Sequence, residues 1–275
     1  LLDQLNQIAP DIQTLTTPIP ADQANAAFGY TNALLDSVAE LGQPILHFWT
    51  MTPTLIMGLK DKHLPHLAAA VRAVQAHGYD VVLRNSGGLA VIADSGVLNV
   101  SLFAPLSEPI SVSAAYQQMT TLVAAAWPEL SIDHYEISRS YCPGDYDLSV
   151  GGRKIAGIAQ RRSTNALVTM LYLSVSGNQS QRGLIVRDFY QAGLGDEPNQ
   201  WSFPDVDPDT MTTTADLLDQ PLTLTTAQDR FRTALVQAGT RVGRGKITAM
   251  LSTPAFQTRL DRATDQMRRR QPKIN

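Results

Sequence analysis

The sequence is short of cysteine, of charge and of long apolar runs, and each shortage excludes something. One cysteine, Cys142, in 275 residues rules out an internal disulfide. A free thiol meant to react belongs in a reducing compartment, so a cytoplasmic location is expected. Charged residues make up 17% of the chain and the net charge is −3, which speaks against nucleic acid as the main partner. No apolar run approaches the roughly 18–20 residues that a membrane span needs, so no membrane partner is expected. The first residues are neither basic nor followed by an apolar core, and no signal peptide is expected. No internal repeat or low-complexity tract is present. What remains is a hydrophobic fraction of 44%, typical of a globular chain.

Hydrophobic spacing gives the elements. Residues 1–20 are polar with scattered Leu and Ile, a short helix or an extended arm. Helical spacing runs from Ala21 to Leu41, with its apolar positions between Ala24 and Val38, and stops at Gly42; it runs again from Lys62 to His77 with Gly78 after it. Strand-like runs fall at Ile45–Trp49, Thr54–Met57, Tyr79–Leu83, Leu89–Ala93 and Val97–Phe103; the close spacing of the last three predicts antiparallel pairing. A helix is predicted at Val112–Ala126, ahead of Pro128, then strands at Ile132–Ile137 and Ala166–Val175 and a helix at Gln181–Gln191. The Pro- and Asp-rich stretch Asp196–Pro208 reads as a linker or lid, followed by helices at Met211–Leu218, Ala227–Ala238 and Pro254–Met267. The class is α+β, a mostly antiparallel mixed sheet flanked by helices. The expected division is an arm (1–20), a catalytic domain (21–195) and a C-terminal helical appendage (196–275). From Gln228 onward eleven Lys or Arg stand against three Asp, either a solvated helix face or a dock for an acidic partner.

The chemistry is expected between Ser140 and Arg162. Cys142 sits in a Pro-Gly loop, an odd place for a merely buried thiol. Alternation over Tyr146–Val150, a Gly151-Gly152 turn and the run Arg153–Gln160 predict a two-residue hairpin. That register sets Val150 opposite Arg153 and Lys154 opposite Ser149, diagonal to Asp147, so Lys154 on its own reads as a surface lysine. Among the histidines, His63 and His66 lack the partners a metal site needs. His134, eight residues before Cys142, is the one candidate base.

The block Cys142-Pro143-Gly144-x-Tyr146-Asp147, with Gly152-Arg153-Lys154-Ile155-Ala156-Gly157-Ile158-Ala159-Gln160-Arg161-Arg162 after it, resembles the lipoate/octanoate protein ligase and transferase superfamily. Arg84-Asn85-Ser86-Gly87-Gly88-Leu89-Ala90-Val91 is similar to that superfamily's Arg-x-x-Gly-Gly-x-Ala-Val substrate loop. The cysteine loop points to its cysteine-dependent amidotransferase branch, and the likeness covers roughly Ala24 to Asp219. The resemblance implies the catalytic-domain fold of the biotin and lipoate ligases. It implies Cys142 as the acyl-carrying nucleophile and Lys154 as a catalytic residue. Arg84, Ser86, Gly87, Gly88, Ala90, Gly157 and Ala159 would line the substrate site.

A cysteine thiolate attacks carbonyls and leaves readily, which suits an acyl carrier. A lysine beside it could favour the thiolate and pass protons between amines. The hairpin alone does not bring Lys154 to Cys142; the loop must fold back, with or without substrate. An octanoyl chain buries six or seven methylenes at roughly 0.8 kcal/mol each, about 5 kcal/mol in gross terms. The implied reaction moves an octanoyl or lipoyl group from the glycine cleavage H protein to lipoyl domains of 2-oxoacid dehydrogenase complexes. Amide-to-amide exchange is nearly neutral, so no cofactor, ATP or metal is expected. Acyl carrier protein as donor, an ATP-dependent ligase and a non-catalytic binder of acylated carriers are the rival readings.

Overall fold

Strand register, more than helix packing, decides where the functional groups end up. The structure is a computed structural model that describes residues 10–106 and 110–273. Its main sheet has eight strands: β1 (Asp11–Ile19), β2 (Ile45–Met51), β6 (Val97–Pro105), β7 (Asp133–His134), β8 (Leu148–Val150), β9 (Arg153–Arg162), β10 (Ala166–Ser174) and β11 (Arg241–Gly243). Their spatial order is β11-β1-β2-β6-β10-β9-β8-β7. The two pairings of β1 are parallel and the rest are antiparallel. A second sheet holds β3 (Thr54–Met57) between β4 (Asp80–Leu83) and β5 (Val91–Ala93).

Alternation along β2 and β6 sorts the core into layers. Leu46 and Phe48 of β2 and Leu98, Val100 and Leu102 of β6 face the helices α3 (Val112–Ala126) and α6 (Leu224–Gln237). On the other face, Ile45 and Phe103 pack against α1 (Ala24–Leu41), α7 (Gly245–Leu251) and α8 (Pro254–Arg270). Farther along that face, Trp49 joins the small sheet, α2 (Leu67–Ala76) and α4 (Gln179–Leu194) in a second apolar cluster. The short α5 (Thr214–Leu218) follows the Pro-rich stretch. Helix ends carry the expected signals: Gly42 closes α1 at φ 67° with its N–H on Val38 O, and Ser111 caps α3 through the Ala114 N–H.

Several expectations need correction. Of residues 1–20, residues 1–9 lie outside the described residues, and Asp11–Ile19 is not a helix: it is extended and pairs in the main sheet as β1. Its Thr and Gln side chains hid the alternation. The three close strand runs do not form one antiparallel meander: β4 pairs with β3 in parallel, β5 pairs with β3 antiparallel, and β6 leaves for the main sheet. The helix expected from Lys62 begins at Leu67, because Leu64, ahead of Pro65, is held extended. The strand expected at Ile132–Ile137 shrinks to Asp133–His134. Within 196–273, β11 joins the outer edge of β1 and α8 lies along α1.

His47 of β2 is fully buried; its Nε2 meets Thr17 Oγ1 at 3.0 Å while Nδ1 has no partner. Burial pushes its pKa down to about 3. The folded chain keeps His47 neutral while the unfolded chain protonates it below about 6.5, so this group's contribution is lost as pH falls through that window. At pH 5 the deficit relative to neutral pH is on the order of 2 kcal/mol. Urea unfolding of wild type and His47→Gln at pH 7.5 and 5 should therefore show a flatter pH dependence in the variant. Parallel slopes would remove His47 as the cause.

Candidate active site

Next to the turn the hairpin forms in the predicted register, with Val150 opposite Arg153 and Ser149 opposite Lys154, and a bulge then sets Leu148 opposite Ala156. What changes the meaning of Lys154 is its environment. Its side chain is 4% exposed and that of Asp147 2%, and Nζ lies 2.8 Å from Asp147 Oδ1. This is a buried ion pair, not a surface lysine near a carboxylate. Nζ also reaches Ser140 Oγ (3.1 Å), Tyr141 O (3.0 Å) and Cys142 O (2.8 Å). An ammonium has three protons, and four oxygens stand ready to accept them. The second Asp147 oxygen takes the backbone N–H groups of Ile137 and Gly144, both at 3.2 Å. Burial pushes the Asp147 carboxyl up, while Lys154 and those N–H groups pull against it. The loop from Ser140 to Asp147 is thus wrapped around the Lys154 ammonium, and no ligand is needed to fold it back.

Cys142 occupies the left-handed region at φ 49°, uncommon for a side chain other than glycine, Asn or Asp. Its Sγ receives the Leu89 N–H at 3.3 Å and Arg84 Nη2 at 3.7 Å. The cation at the sulfur is therefore Arg84; Lys154 reaches the carbonyl of the same residue instead. The Arg84 guanidinium is fixed by Gly87 O (2.9 Å) and Leu89 O (3.0 Å). Gly88, at φ 87°, is required here: a Cβ would come within 2.6 Å of Arg84 Nη2 and 3.2 Å of Cys142 Sγ.

Behind the glycine loop lies support that the sequence did not announce. A Cβ on Gly58 would collide with the Gly88 carbonyl, so the two chains pass in direct contact. The fully buried Asp61 accepts the Gly58 N–H (2.8 Å) and the Tyr190 hydroxyl (2.9 Å), and that hydroxyl accepts the Ala90 N–H (2.9 Å). Burial raises the Asp61 carboxyl to about 6. At the rim, Arg161 donates to Asn32 Oδ1 (2.6 Å) and Asn85 Oδ1 (3.2 Å). The one readable hint was Arg161 in the Gln-Arg-Arg run; its partners come from distant parts of the chain.

Between the two loops opens a pocket of about 380 Å³ lined by Cys142, Lys154, Arg84, Ser86, Gly87, Gly88, Gly157 and Ala159, and also by Phe28, Trp49, Ile56, Asn99 and Tyr172. Ala90 does not line it; its N–H anchors the loop through Tyr190. Gly157 leaves space beside Lys154, whose Cε would be 3.5 Å from a Cβ there. His134 is exposed and stacks on Tyr146, outside the pocket lining. His63 stacks on Trp201. Among the described residues no group of three or more His, Cys, Asp or Glu could hold a metal ion.

The fold is shared with lipoate-protein ligases. A crystal structure of lipoate-protein ligase A bound with ATP superposes with a TM-score of 0.69 over 93% of this chain and 94% of that chain. An archaeal bipartite lipoate protein ligase from Thermoplasma acidophilum gives 0.68 over 94% and 93%. At 17% and 16% identity these likenesses speak for the fold alone. The chain belongs to the lipoyl protein ligase A/B catalytic domain family, whose model matches residues 23–236, and within it the chain is an acyltransferase. The octanoyl-GcvH:protein N-octanoyltransferase of Oceanobacillus iheyensis is 40% identical over 210 residues, 75% of either chain. The lipoyl-GcvH:protein N-lipoyltransferase of Listeria monocytogenes is 38% identical over 213 residues, 76% of this chain and 77% of that one.

The Lys154–Asp147 pair can be tested apart from any chemistry. Lys154→Met strands a buried carboxylate and should cost about 3–5 kcal/mol of stability, whereas Lys154→Met with Asp147→Leu should recover most of it. Denaturant unfolding of both variants measures this. A double variant no more stable than Lys154→Met would mean that the pair's cost lies elsewhere. Activity lost in Lys154→Met alone therefore cannot be assigned to proton transfer.

Proposed function

We propose that this acyltransferase moves an octanoyl or lipoyl group from the lysine of the H protein to the lysine of lipoyl domains through a thioester on Cys142. The observation that carries the reading is the thiol at the mouth of an apolar pocket, met by one backbone N–H and one guanidinium. The names of the curated relatives, with GcvH as donor, support the choice of carrier.

The first half-reaction attaches the Cys142 sulfur to the donor's amide carbon. The carbon–nitrogen bond breaks, and the departing lysine nitrogen takes up a proton. In the second half the acceptor's neutral amine attacks the thioester, the carbon–sulfur bond breaks, and the amine gives up a proton as the thiolate returns. One amide replaces another, so no ATP enters the balance. Arg84 and the Leu89 N–H face the sulfur, where negative charge gathers each time it is released. Lys154 and Asp147 lie next to the space left by Gly157, where the leaving and attacking amines would pass. The acyl chain lies in the pocket, whose wall of Phe28, Trp49 and Ile56 removes it from water.

Mixing the protein with octanoylated H protein, without ATP, should add the mass of one octanoyl group, located on Cys142 by peptide mapping. Cys142→Ser should remain unmodified and fold normally. A mass gain only with octanoyl-acyl carrier protein would replace the donor, and turnover without any acyl-enzyme would end the thioester route.

Carrier docking is proposed for the end of α8. Gln271 bonds both Leu83 N (2.8 Å) and Leu83 O (3.1 Å), which brings Arg268, Arg269 and Arg270 beside the strand that leads into Arg84. Arg270 is near enough to act electrostatically on Arg161 at the pocket rim. Arg268 is already paired with Asp265 within the helix, which leaves Arg269 and Arg270 to do most of the steering. Replacing all three by Gln should raise the Michaelis constant for the protein substrate several-fold at low salt and flatten its salt dependence. Steady-state kinetics identical to wild type at low salt would return the segment to a plain solvated helix end.

A further inference from the structure

Two successive N–H groups of the glycine loop point one at the thiol and one at the protein interior. The Leu89 N–H donates to Cys142 Sγ at 3.3 Å, and the Ala90 N–H donates to the Tyr190 hydroxyl at 2.9 Å. The Ala90 N–H shares its peptide plane with the Leu89 carbonyl, which accepts Arg84 Nη2 at 3.0 Å. The same Nη2 is the nitrogen that reaches the sulfur, at 3.7 Å. One rigid plane is therefore gripped at both ends, by Tyr190 on the N–H side and by Arg84 on the carbonyl side. Both donors to the sulfur are tied to that plane, the Leu89 N–H through one α-carbon and the guanidinium through the carbonyl.

The Tyr190 end of this grip is itself braced. The tyrosine is buried, and its ring lies against Phe189 (centroids 5.1 Å apart) and Phe203 (5.6 Å). Having accepted the Ala90 N–H, its hydroxyl has one proton to give, and Asp61 Oδ1 takes it at 2.9 Å. Asp61 is held in turn by the Gly58 N–H at 2.8 Å, on the chain that touches the Gly88 carbonyl. Burial, with the Asp61 carboxylate and the Cys142 sulfur nearby, holds the Tyr190 phenol well above its ordinary range, so the hydroxyl stays protonated and the direction of the bonds is fixed. A hydroxyl that gives its proton to a carboxylate is polarised and becomes the better acceptor for the N–H behind it.

We infer that Tyr190 is a positioning residue for the nucleophile: by fixing the Leu89–Ala90 peptide from behind, it keeps the Leu89 N–H and Arg84 aimed at the Cys142 sulfur, where they favour the thiolate over the thiol. Donors directed at the charged form of a group stabilise that form. Without the hydroxyl the buried Ala90 N–H must find another acceptor, and any turn of its plane carries both donors off the sulfur. The inference rests on the thioester reading for what the thiolate is used for, and it deepens that reading by naming the residue that prepares it.

Cys142 is the chain's one cysteine, so alkylation by iodoacetamide followed by intact mass reads this thiol alone. Tyr190→Phe removes one oxygen and keeps the ring. Near pH 7, where the supply of thiolate limits the rate, its alkylation is expected to be about threefold to tenfold slower than that of the wild type. Near pH 10, where a thiol is largely ionised without help, the difference should shrink to less than about twofold. Faster alkylation of the variant at both pH values would mean a loosened site, equal slowing at both a narrowed approach, and unchanged rates an idle hydroxyl; each overturns the inference. Hydrogen exchange on the wild type gives a reading that does not depend on the variant folding. The Ala90 amide should be protected like those of β5, and exchange at the rate of an exposed loop would overturn the inference as well. Slowed alkylation of Tyr190→Phe, in a protein whose Cys142 takes no acyl group in the mass experiment, would sink the transfer mechanism and leave this role of Tyr190 standing.

Discussion

The site depends on a single buried ammonium. Lys154 binds oxygens from Ser140, Tyr141 and Cys142 while its charge is met by Asp147, and Asp147 in turn holds the N–H groups of Ile137 and Gly144. A segment without helix or strand has no ladder to satisfy its backbone, so its carbonyls and N–H groups need other partners. Here they find a charged pair in which every bond is charge-assisted and hence stronger than a neutral one. The hairpin supplies the rigidity: β9 fixes the lysine, and the loop folds to suit it. That order of dependence places the thiol without any contact between Lys154 and the sulfur.

The other half of the site is held from behind in the same way. Tyr190 and Asp61 tie Ala90 and Gly58 together, and the glycine loop is stretched between them. Arg84 then folds across the loop it belongs to, bonding two of its carbonyls before it reaches Cys142. Two loops from different sheets, each with its own buried polar anchor, meet at one sulfur atom. Neither contributes a regular element to the meeting point, yet both are set by strands on either side of them.

Local patterns carried much of this into the sequence. The helix expected at Val112–Ala126 forms over those residues, since its apolar spacing, its Ser111 cap and the Pro128 stop all agree. The Gly151-Gly152 turn fixed the hairpin register, and register put Lys154 diagonal to Asp147. The depth at which that pair is buried was not legible, because the chain around Met211 pairs with Lys154 from a remote position. The same holds for Arg84, whose sulfur partner is 58 residues away. Strand β1 was obscured by its Thr-rich pattern, and β11 by its three-residue length.

Gly58, Gly88 and Cys142 form an interlock with a bearing on how such a chain can diverge. A side chain at 58 would strike the Gly88 carbonyl, a side chain at 88 would strike Arg84 and the sulfur, and Cys142 is itself in a backbone conformation that few residues tolerate. Neither glycine has an open single-step path to a larger residue. Drift at one position must wait for a compensating shift of the whole glycine loop, and that shift would move Arg84 away from the thiol. Mutational routes are therefore steep at the two glycines, while the apolar wall of the pocket, made of separable side chains, can change one residue at a time. The pocket wall can therefore drift by gradual substitution, whereas the glycine loop cannot.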